Sequence, residues 1–294
     1  MTSTMPKGAV IVNGFWRGGD EGAKKLSNAL ALRGVSAPLF RSTEVKLFVK
    51  EGVQGGIPFD FGIFSDKDDH LARLLEARGV RLFNSAESIR LADDKMLTHI
   101  ALAPYVRQPK TISSPLLFAG EDDPAFLLDV EKCLGYPIVV KKCFGAFGKQ
   151  VFLAKNREEL TALRASLLRE PHLYQEYVEC GASDYRVITI GGKAVAAMKR
   201  TAAKEGEFRA NAELGGRGEA VEITPALRTL AETASRALGL EYAGVDLLKD
   251  KNGYLVTEVN SNAHFKLIEE VTGIPIASKY ADYIVSEIKK GEKL

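Results

Sequence analysis

The sequence of 294 residues predicts a mixed α/β and α+β chain, and three observations carry that prediction. Strand and helix patterns alternate from Gly8 to Asn84, the pattern turns strand-rich at Ser183, and an apolar hairpin runs up to Asn260. Alternating elements imply a small parallel sheet with helices on its faces. Strands in succession, followed by helices, give the second half its α+β character.

The elements follow in order. GAVIVN (Gly8–Asn13) has the continuous apolar pattern of a buried strand, and Glu21–Leu32 has helical spacing with Leu26, Ala29 and Leu30 on one side. Phe59–Ser65 is strand-like, Asp69–Arg78 helical, and Val80–Asn84 again a strand. NGFWRGG, after the first strand, does not match GxGxxG, which argues against a dinucleotide site. A second segment begins near Ser85, where Asp93 or Asp94 caps the helix of DDKMLTHIALA, which stops at Pro104. A helix over Pro124–Leu134, the strand PIVVKK, the loop CFGAFGKQ, the strand VFLA and a helix over Arg157–Arg169 lead to HLYQEYV. Beyond Ser183 come the strands of DYRVITIGG and KAVAAMKR, then a glycine-rich polar stretch, KEGEFRANAELGGRGE. A helix over Pro225–Leu238, the hairpin and a helix after Pro275 complete the chain.

Composition excludes several classes. The 40 basic residues are balanced by 38 acidic ones, and no basic run or aromatic-interleaved stripe occurs, so nucleic acid is not an expected partner. No apolar stretch reaches the ~18 residues of a membrane span, and the N-terminal apolar run is too short for a signal peptide. The three cysteines, Cys133, Cys143 and Cys180, have no CxxC spacing, which fits a reducing cytoplasm.

The chemistry concentrates in TEVNSNAHFK (Thr257–Lys266). Glu258 and Asn260 lie two apart on a strand and face one side, which suits a hard cation such as Mg2+ or an ordinary solvated strand end. With Lys251–Asn252–Gly253 as a three-residue loop closed by Asp250 and Tyr254, Asp246 falls opposite Glu258, and Leu248 opposite Val256. Two half-buried carboxylates in that arrangement need a cation or a shared proton. In PIVVKK, Val139 and Lys141 share one face, opposite Ile138 and Val140, so the lysine either snorkels or binds an anion. Gly145 and Gly148 let the following loop approach a phosphate, or make a plain hairpin connection, and the spacing is not that of a Walker A loop. Gln175–Val178 (QEYV) stands where backbone groups and a carboxylate could read a purine edge or simply link two segments. Asp184 and Arg186 alternate on one face, Arg200 ends the next strand, and Arg209 and Asn211 share a face if FRAN is extended. Singly, each is an ordinary surface residue. Together, four cations (Lys141, Arg186, Arg200, Arg209) and three oxygen ligands (Asp246, Glu258, Asn260) form the mixture that a Mg2+-bridged triphosphate requires.

The ordered series DDKMLTHIALA, PIVVKKCFGAFGKQV, LYQEYVECGASDYRV, AAMKR, FRANAELGGRGEAVEI, YAGVDLL and TEVNSN resembles the ATP-grasp superfamily, most closely its RimK-type carboxylate–amine ligases. The resemblance implies an ATP-grasp fold with a pre-ATP-grasp βαβ domain over 1–84, a small lobe over 85–178 and a large lobe over 179–294. It implies ATP and Mg2+, two ions with Mn2+ as a substitute, and phosphate contacts from Lys95 and Lys141. Glu176, Tyr177 and Val178 match the adenine-reading segment, Asp184 the ribose ligand, and Arg209 and Asn211 the pair at the γ-phosphate. Asp246, Glu258 and Asn260 match the metal ligands, with Leu248 and Val256 as an apolar floor under adenine. The implied reaction joins a small-molecule or peptide carboxylate to an amine through an acyl phosphate, with Arg209, Arg186 and Arg200 as catalytic cations. Arg186 and Arg200 also fit a substrate carboxylate. His264 and Lys266 depart from the family pattern, so they either select an anionic substrate group or pack and solvate at a helix start. A kinase that stops at phosphoryl transfer and a non-catalytic nucleotide sensor are the competing classes, and a homo-oligomer is a family-level expectation.

Overall fold

Three larger sheets and one small hairpin organise the chain in a computed structural model, which describes residues 6–15, 20–123, 125–145, 148–202 and 217–291. The first sheet is built from β1 (Gly8–Val12), β2 (Leu39–Arg41), β5 (Phe61–Ser65) and β6 (Arg81–Phe83) in the order β2-β1-β5-β6. All its neighbours are parallel, as the βαβ rhythm requires. Helix α1 (Glu21–Ala31) connects β1 to β2, a hairpin of β3 (Phe48–Val49) and β4 (Val53–Gln54) precedes β5, and α2 (Asp69–Ala77) connects β5 to β6. The Asp68 carboxylate caps α2 by accepting from the Leu71 N–H at 3.0 Å.

Helices α3 (Ala86–Asp93) and α4 (Lys95–Leu102) come next. Of the two acids at the α4 start, Asp94 is the cap, accepting from the N–H groups of Met96 and Leu97. The second sheet is antiparallel, with β7 (Thr111–Ser113), β8 (Ile138–Lys142), β9 (Val151–Ala154) and β10 (His172–Glu176) in the order β7-β10-β8-β9. Helices α5 (Ala125–Leu134) and α6 (Arg157–Leu167) cover its apolar face, burying Ile138, Val140, Leu160 and Tyr174. The third sheet is antiparallel, β13-β12-β11-β14-β15, from β11 (Ser183–Ile190), β12 (Lys193–Thr201), β13 (Arg217–Ala220), β14 (Tyr242–Asp250) and β15 (Gly253–Asn260). Helix α7 (Pro225–Ala237) packs on one face of it, and α8 (Lys266–Thr272) and α9 (Ile276–Gly291) lie on the other.

One core runs through the first and third sheets together: Val10, Leu30 and Phe61 bury against Ile188, Met198, Tyr242 and the α9 residues Tyr280 and Ile284. Asn84 locks the same junction. Its amide nitrogen donates to the carbonyls of Tyr242 (2.8 Å) and Ser261 (2.9 Å), and its amide oxygen accepts from the N–H groups of Glu241 (2.7 Å) and Tyr242 (3.1 Å). That is the full bonding capacity of an asparagine side chain. No helix among the described residues is long and apolar enough to cross a membrane.

The hairpin of β14 and β15 departs from the expected register in two places that offset each other. The turn has two residues, Lys251 and Asn252, so Asp250 pairs with Gly253, and Leu248 faces Leu255 rather than Val256. A bulge at Thr257 then restores the expected pairing of Asp246 with Glu258. Because one inserted residue flips side-chain parity, Val256 joins Leu247 in the core beneath the sheet. It therefore cannot floor an adenine pocket.

Candidate active site

Apart from Val256, every described residue that the sequence singled out for nucleotide, metal or substrate lines one cavity of about 730 Å³ between the sheets. That volume is ample for a nucleotide and a second small molecule. Arg209 and Asn211 lie outside the described residues.

The second sheet supplies one wall. Strand alternation turns Val139 and Lys141 of β8 into the cavity and Ile138 and Val140 into the core beneath. Lys141 Nζ donates to Thr257 Oγ1 at 3.2 Å, so the bulged residue of β15 receives the lysine. Burial pushes the Lys141 ammonium down to about 8. Lys95, the first residue of α4, sets its Nζ 3.7 Å from Glu258 Oε1 and 3.5 Å from the carbonyl of Gly145. Gly145, at φ 149°, and Gly148, at φ 69°, also line the cavity. A Cβ at Gly145 would stand 2.6 Å from Gln150 Oε1, and that oxygen is itself buried without a hydrogen-bond partner among the described residues. Gln175 and Glu176 end β10, and Tyr177 and Val178 begin the connection from it to the third sheet.

The third sheet supplies the acids. Asp246 and Glu258 are directly opposed on β14 and β15, and Asn260 points to the same face, its Nδ2 3.4 Å from Asp246. Burial opposes the charge on Glu258, but Lys95 and Lys141 outweigh it and hold its carboxyl below the ordinary range. Burial likewise opposes the charge on Asp246, which Arg186 and Arg200 hold down. Arg186 forks onto Asp246 through Nε and Nη2, both at 2.6 Å. Arg200 forks onto Asp184 at 2.7 and 2.6 Å, with Nη2 also 3.1 Å from Asp246. Both guanidiniums expected to meet a substrate carboxylate are thus largely committed to protein acids, leaving Nη1 of each unengaged by a described residue. Two facing carboxylates and an amide, with only oxygen ligands once the Asn260 amide turns, fit a hard divalent cation, and the cationic ring around them offsets their repulsion.

His264 and Lys266 stand at the opposite rim. Phe265, rather than His264, takes the N-cap position of α8, and Lys266 Nζ bonds Glu21 of α1 at 3.0 Å across the exposed mouth. Sequence reasoning missed Lys67, which lines the cavity while paired with Asp93 at 2.6 Å, and His99, buried behind Lys141. Neither has a local signal: both meet the site only through tertiary packing. Cys143, in the glycine loop, is buried, which pushes its thiol up to about 11, the environment of an inert rather than a reactive thiol.

A pair of antiparallel sheets clamping such a cavity is the architecture of an ATP-grasp protein. The family model described as the RimK-like ATP-grasp domain matches residues 92–284. N-acetylaspartylglutamate synthase A of Homo sapiens is 35% identical over 227 residues, covering 76% of this chain and 56% of that protein. "Probable alpha-L-glutamate ligase 2" of Hahella chejuensis is 36% identical over 222 residues, covering 74% and 71%. The crystal structure of a RimK domain ATP-grasp protein from Sphaerobacter thermophilus superposes with a TM-score of 0.74 at 20% identity, covering 94% of this chain and 98% of that one. The chain belongs to the RimK-like ATP-grasp family. It spans a little over half the length of the human relative.

Proposed function

We propose that the chain is an ATP-dependent carboxylate–amine ligase that forms an amide or peptide bond and releases ADP and phosphate. The observation that carries this is the facing pair Asp246 and Glu258, set beside Lys95 and Lys141 in one cavity. Acids for a metal and cations for phosphate oxygens are the parts that phosphoryl transfer requires. In this reading, Lys95 and Lys141 hold phosphate oxygens, and Val139, Leu248 and the Gln175–Val178 connection hold adenine, with Asp184 near the ribose. Asp246, Glu258 and Asn260 hold Mg2+, two ions with Mn2+ tolerated, which supplies charge neutralisation at the phosphates.

The substrate carboxylate oxygen attacks the γ-phosphorus, and the bond to the ADP oxygen breaks. The amine nitrogen then attacks the acyl carbon, phosphate leaves from the tetrahedral intermediate, and the nitrogen loses a proton. Amide formation from a free carboxylate is uphill in water, so the acyl phosphate is what makes the carbon electrophilic. The protein's share is positioning and charge stabilisation. Nη1 of Arg186 and of Arg200 supports a role at the substrate carboxylate or the developing oxyanion, and Arg209 completes the cationic set. Lys266 and His264 at the rim support a role in choosing the acceptor. Both named relatives carry glutamate in their names, which favours glutamate as one of the joined partners. The division into units at 84 and 178, a cytoplasmic location and a homo-oligomer belong to the same reading, on the resemblance alone.

An isotope experiment tests the chemistry. With 18O in the substrate carboxylate, one labelled oxygen is expected in the released phosphate. Label retained wholly in the organic product would exclude the acyl phosphate.

A further inference from the structure

The amide of Gln175 is held in one orientation by a chain of hydrogen bonds that ends on two backbone carbonyls. Gln108 Nε2 donates to the His99 carbonyl at 3.0 Å, and Gln108 Oε1 therefore faces His99 Nδ1, at 2.6 Å. A carbonyl oxygen only accepts, so Nδ1 carries the imidazole proton. Burial, with Lys141 adding to it, pushes the His99 pKa down to about 4, so the ring is neutral and Nε2 is an acceptor. Gln175 Nε2 lies 3.0 Å from that nitrogen and 2.9 Å from Thr111 Oγ1. The Thr111 hydroxyl spends its own proton on the carbonyl of Pro109 at 2.9 Å, so it too accepts. Both amide hydrogens of Gln175 are then committed. Its oxygen accepts from no described residue and belongs to a buried side chain that lines the cavity beside Glu176.

We propose that the Gln108–His99–Gln175 relay makes the cleft selective for a 6-aminopurine nucleotide over a 6-oxopurine one. Gln175 Oε1 is the acceptor for the exocyclic amine, and His99 and Gln108 are positioning residues. The proposal rests on the reading of this cleft as an ATP site. Adenine brings a donor to that oxygen. A 6-oxopurine brings a second acceptor, and two desolvated lone pairs then face each other. Rotating the amide would relieve that contact only by turning its oxygen onto His99 Nε2 and Thr111 Oγ1, two further acceptors. The relay therefore converts a side chain that could serve either purine into one that serves adenine. No sequence motif carries this, because Gln108 and His99 meet Gln175 from a loop and a helix rather than from its own strand.

The test is a comparison of dissociation constants for ATP, ITP and purine riboside triphosphate, which lacks any group at position 6, in the presence of Mg2+. The wild-type protein is expected to prefer ATP to ITP by roughly 10- to 100-fold, with the unsubstituted purine between them. His99→Leu frees the amide to rotate, and the ATP-to-ITP ratio is expected to fall to within a few-fold while ATP still binds. Gln175→Met removes the acceptor and is expected to give the same collapse, which covers the case of a His99 variant that does not fold. A merely structural role would weaken all three nucleotides alike and keep the ratio. A ratio preserved in both variants, or a wild-type protein indifferent between ATP and ITP, would overturn the relay and leave the ATP reading standing. Failure of every triphosphate to bind the wild-type protein would overturn the ATP reading itself, and the relay with it.

Discussion

Replacing Lys141 by methionine is expected to stabilise the fold and end the activity. The side chain is buried on the cavity face of β8, with Thr257 Oγ1 as its hydrogen-bond partner at 3.2 Å. Burial lowers its pKa from 10.5 to about 8, and a displacement of that size corresponds to roughly 3 kcal/mol against the charged form. The folded value lies below the unfolded one. Below about pH 8 both states hold the proton, so the full penalty is present. Between there and 10.5 the unfolded chain binds more protons, and stability rises with pH until the penalty is gone. Methionine keeps most of the volume and removes the charge. Lys95 remains beside Glu258 at 3.7 Å, and the lost bond to Thr257 subtracts about 1 kcal/mol. The net expectation is a gain of about 1–3 kcal/mol near neutral pH, shrinking toward about pH 10. Urea denaturation of metal-free, nucleotide-free protein at both pH values measures it, and ATP binding by the same variant measures the functional loss. A variant less stable than wild type at neutral pH, or a difference that does not change with pH, would refute the reasoning.

Other outcomes follow from the same geometry. Glu258→Ala is expected to abolish ADP formation while the fold is retained, since it removes one of the two facing carboxylates; near-normal turnover by coupled assay would sink its assignment as a metal ligand. Asn84→Ala strips four hydrogen bonds from the junction of the first and third sheets, and a loss of about 3–5 kcal/mol is expected by denaturant titration. A loss below about 1 kcal/mol would mean that the junction relaxes around the gap. Cys143, buried with its thiol pushed up to about 11, is expected to resist alkylation in the native protein at neutral pH, and peptide mapping that finds it labelled ahead of exposed Cys133 would contradict that.

The parts of the fold that were legible in the sequence are those with strong periodic patterns. Gly8–Val12, Ile138–Lys142 and Pro225–Ala237 stand within a residue or two of their expected bounds, because apolar spacing is a local property. The short edge strands Leu39–Arg41, Thr111–Ser113 and Arg217–Ala220 carry too little pattern to be seen and exist because a neighbour offers them a ladder. The hairpin gives a sharper lesson. Asp246 does oppose Glu258, but through a two-residue turn and a bulge at Thr257 rather than the three-residue loop expected. Those two departures cancel at the acids and not at Val256, which went to the core. The site was legible where its residues alternate along strands, as Lys141, Glu258 and Asn260 do. Lys67, which lines the cavity, and His99, which touches Gln175 from beneath it, were not, because tertiary packing of elements far apart in sequence brings them there, and the pairing of Arg186 and Arg200 with Asp246 and Asp184 likewise emerges only when β11, β12 and β14 come together.

The measurement that tests the ligase reading most directly is Mg2+-dependent ADP release across pools of carboxylates, amino acids and short peptides, glutamate among them, with mass spectrometry of the products. A product lighter by one water than the sum of a carboxylate and an amine, formed with one ADP per bond, is the predicted result. ADP release accompanied only by a phosphorylated product would contradict it and make the protein a kinase.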